Sequence, residues 1–158
     1  MEKSAQFQVV TFQLGKEIYG IDIMDVKRIV GIKEVREIPN APPYVEGILN
    51  LRGVVTPIIN LHKRFLFQKM EVTDDDILLS GFVILEIHKM ILGIMIDKIL
   101  RVVTIDPAQI QPPPKLIAGI GVEYIQGVVN DEGNYIIILN IQKLFNPKEL
   151  QQLSTIKS

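Results

Sequence analysis

The chain has 158 residues, of which 47% are hydrophobic and 22% charged, with a formal net charge of −1 and no cysteine. It is long enough for one substantial core or two small ones packed together, too apolar to remain disordered, and too nearly neutral for a general polyanion binder. The lack of cysteine excludes a disulfide scaffold, a thiolate metal site and a thiol nucleophile, and it fits a reducing compartment, with the cytoplasm as the default.

From the N-terminus, Met1 to Val10 shows no apolar signal-like run after its charges. Phe7 to Leu14 is rich in β-branched and aromatic residues with partial period-two alternation, which predicts a strand. A hairpin turn follows at Gly15-Lys16, then a strand through Tyr19 to Ile23 and a short strand-like piece around Arg28 to Val30. A proline-containing loop leads through Pro39 to a strand entered at Gly47, and Asn50-Leu51-Arg52-Gly53 reads as a tight turn in which glycine supplies positive φ. The strand Val54 to Ile59 contains Pro57, which donates no ladder hydrogen bond and so predicts a sheet edge or a bulge. Asn60 to Phe65 reads as a short closing helix with Asn as its N-cap.

A polar segment, Gln68 to Asp76, separates this series from a second copy of it. Gly20 falls on Gly93 at a shift of 73, carrying Arg28-Ile-Val30 onto Arg101-Val-Val103 and Pro39 onto Pro112; Gly47 then falls on Gly127 and Asn60 on Asn140 at a shift of 80. The second copy therefore turns at His88-Lys89 and at Asn130-Asp131-Glu132-Gly133, and closes with Asn140 to Phe145. The most apolar run, Met90 to Ile96, stops at Asp97, far short of the ~20 residues needed to span a bilayer. Five short strands per copy cannot bury both faces of a flat sheet, which predicts an all-β fold with short helices: two small five-stranded barrels, at about 7–66 and 77–145, followed by a helical tail over 147–158 with Pro147 in its first turn.

Catalysis has little to work with. His62 and His88 fall beside lysines on a helix and a turn, where contact with water is expected and no second metal ligand is suitably spaced. Asp74-Asp75-Asp76 lacks the spacing and glycine of a calcium loop and reads as solvated linker; Pro112-Pro113-Pro114 reads as a stiff spacer. No nucleophile elbow, phosphate-binding glycine loop or framed pair of carboxylates is present. Binding is the better class, and the two Asn-x-x-Gly tips differ in a telling way: the second is acidic, whereas the first carries Leu51 and Arg52. An exposed leucine gains nothing from water, so Leu51 should pack against the sister barrel or against another protein, and arginine is enriched at contact hot spots; the first tip is read as a docking element.

Three segments, Phe12 to Ile23, Val45 to Leu61 with its N-L-R-G-x-x-x-P core, and Gly93 to Asp97, resemble the CheW-like coupling proteins of bacterial chemotaxis. The likeness runs from about Gln6 to Phe145, one CheW-like domain over 6–146. It implies two five-stranded SH3-like barrels and a non-enzymatic adaptor without cofactor. Such a protein bridges the cytoplasmic hairpin tip of chemoreceptors to the regulatory domain of the histidine kinase CheA, and is recruited to membrane arrays through its partners rather than by insertion. By position, receptor contact falls on Val26, Ile29, Gly47, Leu51, Arg52, Gly53 and Val54, and kinase contact on Ile32, Val35 and Ile38. Many members carry Glu where this chain has Arg28, so an ion pair with the turn arginine is not available here. The rival readings are a small-molecule-binding β-barrel, which needs a polar group inside a barrel, and a nucleic-acid-binding barrel, which 6% aromatic residues and near-neutral charge disfavour.

Overall fold

A computed structural model describes residues 7–65, 80–113, 116–117 and 120–156; the acidic run at 74–76 lies outside them. The strands are β1 (Phe7–Leu14), β2 (Glu17–Asp22), β3 (Val26–Gly31), β4 (Val45–Leu51), β5 (Val54–Asn60), β6 (Gly81–Ile87), β7 (Met90–Ile96), β8 (Lys98–Ile105), two-residue β9 (Leu116–Ile117) and β10 (Ile120–Gly121), β11 (Ile125–Asp131) and β12 (Asn134–Leu139). Helix α1 spans Leu61–Phe65 and α2 spans Pro147–Ser154. The predicted hairpins form. Gly15 carries φ 61°, and His88 and Lys89 carry φ 49° and 68°, the left-handed pair that a two-residue turn needs to match strand twist.

The strands assemble into two five-stranded sheets, ordered β3-β6-β7-β5-β4 and β11-β12-β2-β1-β8. Neither sheet is one copy of the repeat, which corrects the division at 7–66 and 77–145. The first hairpin of each copy is exchanged: β1–β2 joins the strands of the second copy, running parallel to β12 through Ile18–Gly20, and β6–β7 joins those of the first, running parallel to β5 through Gly93–Met95. One sheet is therefore drawn from the contiguous stretch 26–96, and the other from 7–22 together with 98–139.

The exchange follows from where apolar side chains can be covered. In β6 and β7 the side chains alternate: Phe82, Ile84, Ile91 and Met95 fill one cluster with Leu49, Leu51, Ile58 and Val30, while Val83, Leu85, Ile87, Leu92, Ile94 and Ile96 face a second. The β1–β2 hairpin behaves likewise, with Val9 and Ile18 turned to the cluster of the other sheet and Phe12, Leu14, Tyr19 and Ile21 turned to the shared layer. Both hairpins are apolar on both faces, so each needs its own rolled sheet on one side and the sister hairpin on the other. Phe12, Leu14, Tyr19 and Ile21 are the repeat equivalents of Leu85, Ile87, Leu92 and Ile94, and all eight meet in that layer.

Pro57 does not mark an edge. Strand β5 lies between β7 and β4, but its parallel pairing with β7 starts at Ile58, one residue later, so the missing donor faces a stretch without a ladder. In α1, Asn60 Oδ1 accepts from Lys63 N at 3.3 Å, as its capping role requires. The equivalent 141–143 is a 3-10 turn without a side-chain cap. Helix α2 has a reciprocal cap: Asn146 Oδ1 accepts from Glu149 N and the Glu149 carboxylate accepts from Asn146 N.

One side chain ties α2 to both copies. The Arg64 guanidinium lies 5.1 and 5.8 Å from the Tyr44 and Phe65 ring centres and 5.8 and 5.3 Å from their repeat equivalents Tyr124 and Phe145. It donates to Leu144 O at 3.0 Å and makes a forked ion pair with Glu149, at 2.8 and 2.9 Å. Burial and the same carboxylate hold the Tyr44 hydroxyl above its ordinary pKa. Four aromatic faces and a carboxylate only 16% exposed around one planar cation form a strong arrangement, and removing the cation leaves the carboxylate stranded. Arg64→Leu should lower the melting temperature by about 5–10 °C, and the double variant with Glu149→Leu should recover part of that loss; calorimetry on the two variants checks both.

Candidate functional site

Among the described residues no helix is long and apolar enough to cross a membrane, and no cluster of three His, Cys, Asp or Glu could hold a metal. His62 is not the water-exposed residue expected. Its side chain is 11% exposed and its Nε2 lies 2.9 Å from Asp97, whose other oxygen accepts from Gly15 N at 2.8 Å, so the pair locks α1 onto the first hairpin turn.

Aliphatic and cationic side chains gather at the first sheet's open seam. All five of its strands send side chains into one cluster, which rolls the sheet, yet β3 and β4 remain its two ends. The seam between them opens as a cavity of about 210 Å³ lined by Lys27, Arg28, Leu51, Val54, Thr56, Ile84 and Ile91. Its floor is aliphatic and its rim cationic. Of its lining Val54 is 51% exposed, and Ile29 on β3 and Ile32 just beyond it are 44% and 51% exposed. Among the described residues neither Arg28 nor Arg52 has an ion-pair partner, whereas Lys27 reaches Glu86 at 3.5 Å.

The turn at this seam has two residues, not four, and this separates the predicted pair. Leu51 pairs with Val54 as the last rung of β4–β5, leaving Arg52 (φ 53°) and Gly53 (φ 85°) as the tip, with Asn50 Oδ1 accepting from Gly53 N at 2.8 Å. Leu51 then shares the inward face of β4 with Leu49 and is buried to 6%. The exposed apolar tip expected there does not exist: Leu51 is the floor of the seam, and Arg52 alone stands in water. The alternation Leu49, Asn50, Leu51 already carried that signal.

The other predicted positions divide. Ile29, Arg52, Gly53 and Val54 are exposed, Val54 in the lining of the seam and Ile29 next to the lining Arg28 along β3, while Val26 leans on the layer between the sheets. The close backbone approach expected at Gly47 is real, but the approaching backbone belongs to the chain itself. Residue 36 pairs with Ile48, and a Cβ on Gly47 would lie 2.7 Å from the Arg36 carbonyl carbon and 2.8 Å from Val35 Cγ1. Ile32, Val35 and Ile38 form no single strip: Ile32 is exposed, Val35 packs on the first sheet's cluster, and Ile38 lines a cavity of about 700 Å³ against α2 with Tyr44, Glu149 and Ile156. Gly47→Ala, at φ 153° with backbone in the way, should cost about 1–3 kcal/mol, and more than Gly53→Ala, whose Cβ meets open space at φ 85°; urea midpoints of the two variants rank them.

Comparison with known proteins matches this architecture. Residues 8–149 match the CheW-like domain family. The chain is 55% identical over 151 residues to "Chemotaxis protein CheW" of Treponema pallidum, covering 96% of this chain and 89% of that protein, and 32% identical to its namesake from Klebsiella aerogenes, covering 90% and 84%. The crystal structure of the scaffolding protein TtCheW from Thermoanaerobacter tengcongensis superposes with a TM-score of 0.82 at 32% identity, over 94% of this chain and 93% of that one. An N-L-R-G turn at the mouth of one of two rolled five-stranded sheets, a repeat spanning the chain and matches over nearly its whole length lead to one conclusion: this chain belongs to the CheW-like family.

Proposed function

We propose that this chain is a non-enzymatic chemotaxis scaffold that couples the cytoplasmic tips of chemoreceptors to the regulatory domain of the kinase CheA, acting in the cytoplasm and drawn to membrane arrays through those partners. The observation that carries the reading is the seam of the first sheet, an aliphatic floor under a cationic rim whose Arg28, among the described residues, has no ion-pair partner. This chemistry suits an apolar segment bearing carboxylates. A receptor helix lays apolar side chains over Val54 and Ile29 while Arg52, Arg28 and Lys27 meet acidic groups. Leu51 and Val26 hold those contacts from below, with Gly53 giving the turn its shape and Gly47 fixing the loop behind it. Ile32 is the exposed contact for the kinase, seated on the loop that Val35 and Ile38 anchor.

The relatives' names and the scaffold structure support the chemotaxis part of this reading. The interior of each rolled sheet is occupied by its own aliphatic side chains, which disfavours a barrel built around a small molecule. With Arg28 at the rim where many members of the family carry Glu, association should quicken at low salt through charge steering.

Arg52→Glu and Val54→Asp each change an exposed side chain and should keep the wild-type melting temperature. Each should weaken binding of a receptor cytoplasmic fragment at least about 10-fold, read by pull-down and calorimetry beside the same titration with the CheA regulatory domain. Undiminished receptor binding by both folded variants would discard the docking site.

A further inference from the structure

The repeat places a second seam on the other sheet. A cavity of about 470 Å³ is lined there by Ile18, Leu100, Arg101, Asp131, Asn134 and Ile136, among others. These are the repeat equivalents of Ile91, Lys27, Arg28, Leu51, Val54 and Thr56, so two grooves of the same build face water on one molecule. The tips match in backbone as well. Glu132 carries φ 53° and Gly133 φ 88°, against 53° and 85° at Arg52 and Gly53, and Asn130 Oδ1 accepts from Gly133 N at 3.1 Å. Only the side chains differ.

We propose that the Arg101, Asp131 and Glu132 cluster excludes from the second seam the partner segment that fills the first, so that a scaffold with two equivalent grooves takes one copy of that partner. This rests on the docking reading above and adds the determinant of its stoichiometry.

Arg101 bridges the seam, donating to Asp131 and reaching Glu132 at 3.3 Å. Its backbone is held where β8 bulges opposite Thr11: the Thr11 hydroxyl accepts from Arg101 N at 3.1 Å and donates to Arg101 O. The first sheet has Ile84 at the position of Thr11 and cannot make that clamp. The pair itself is half-exposed, with Arg101 56% and Glu132 79% open to water, and adds little stability. Its effect falls on a would-be ligand. An apolar segment entering this seam must strip water from Asp131, which is only 26% exposed, and acidic groups suited to Lys27, Arg28 and Arg52 would meet two carboxylates instead. The clash of charge and the desolvation act in the same direction.

The test swaps the first seam's side chains into the second: Asp131→Leu, Glu132→Arg and Asn134→Val together, with Glu132→Arg alone as a milder change at an exposed turn residue of unchanged φ. The probe is the receptor cytoplasmic fragment, titrated by calorimetry with analytical ultracentrifugation. Wild type should bind one copy per chain; the triple variant should bind two, and Glu132→Arg should show a second, weaker site. With the triple change added to Arg52→Glu, one copy should still bind, now at the second seam. Folded variants that bind no second copy would overturn the inference while leaving the docking reading intact. Undiminished binding by both Arg52→Glu and Val54→Asp would overturn that reading and the inference with it.

Discussion

The layer between the two sheets is the constraint on which the rest depends. Two hairpins, β1–β2 and β6–β7, carry aliphatic or aromatic side chains on both faces, and no single five-stranded sheet can cover both. Packing the hairpins back to back satisfies one face of each, and rolling three further strands around each satisfies the other. Because the hairpins meet at the centre, each lies beside the other copy's remaining strands, and two parallel ladders, β2 with β12 and β7 with β5, complete the exchange. A pair of barrels each made of one copy would leave this layer without its symmetric partner.

The same centre explains the position of Arg64. Tyr44 and Phe65 meet Tyr124 and Phe145 across the repeat, and aromatic rings arriving from two equivalent elements leave a slot with electron-rich faces on its walls. A flat cation fills it from one copy only, since residue 144 is leucine, whose carbonyl accepts from that cation. The departure from symmetry then has a use: both terminal nitrogens of the guanidinium also hold Glu149, and with it α2, on the first copy's proline loop.

Duplication also makes the seams comparable. Both sheets end in an unclosed gap beside a two-residue turn of the same backbone shape, so the difference between a greasy, cationic mouth and one crossed by an ion pair rests on a few side chains at fixed places. Scaffolding is a matter of which surfaces are left open, and here the fold sets the openings while the differences between copies set their charge.

Local and repeated features were readable from the residues alone. Strand content, the hairpin turns, the duplication with its shifts of 73 and 80, the cap of α1, the helical tail and the family all follow from patterns that span a few residues or recur along the chain. Arg52 at an exposed tip was readable for the same reason, because turn chemistry is local. Pairing partners were not: the 7–66 and 77–145 division assumed that neighbours in sequence pair in space, whereas burial on both faces of a hairpin is satisfied by strands that lie far away. Leu51 was misplaced by assuming a four-residue turn, when one rung more of ladder turns it inward. His62 against Asp97, Gly47 against residue 36, and Arg64 among four rings likewise join residues that lie apart along the chain. Short stretches of residues carry what each segment prefers; which segments meet is settled only in the folded chain, because covering apolar surface and pairing charge depend on distance in space.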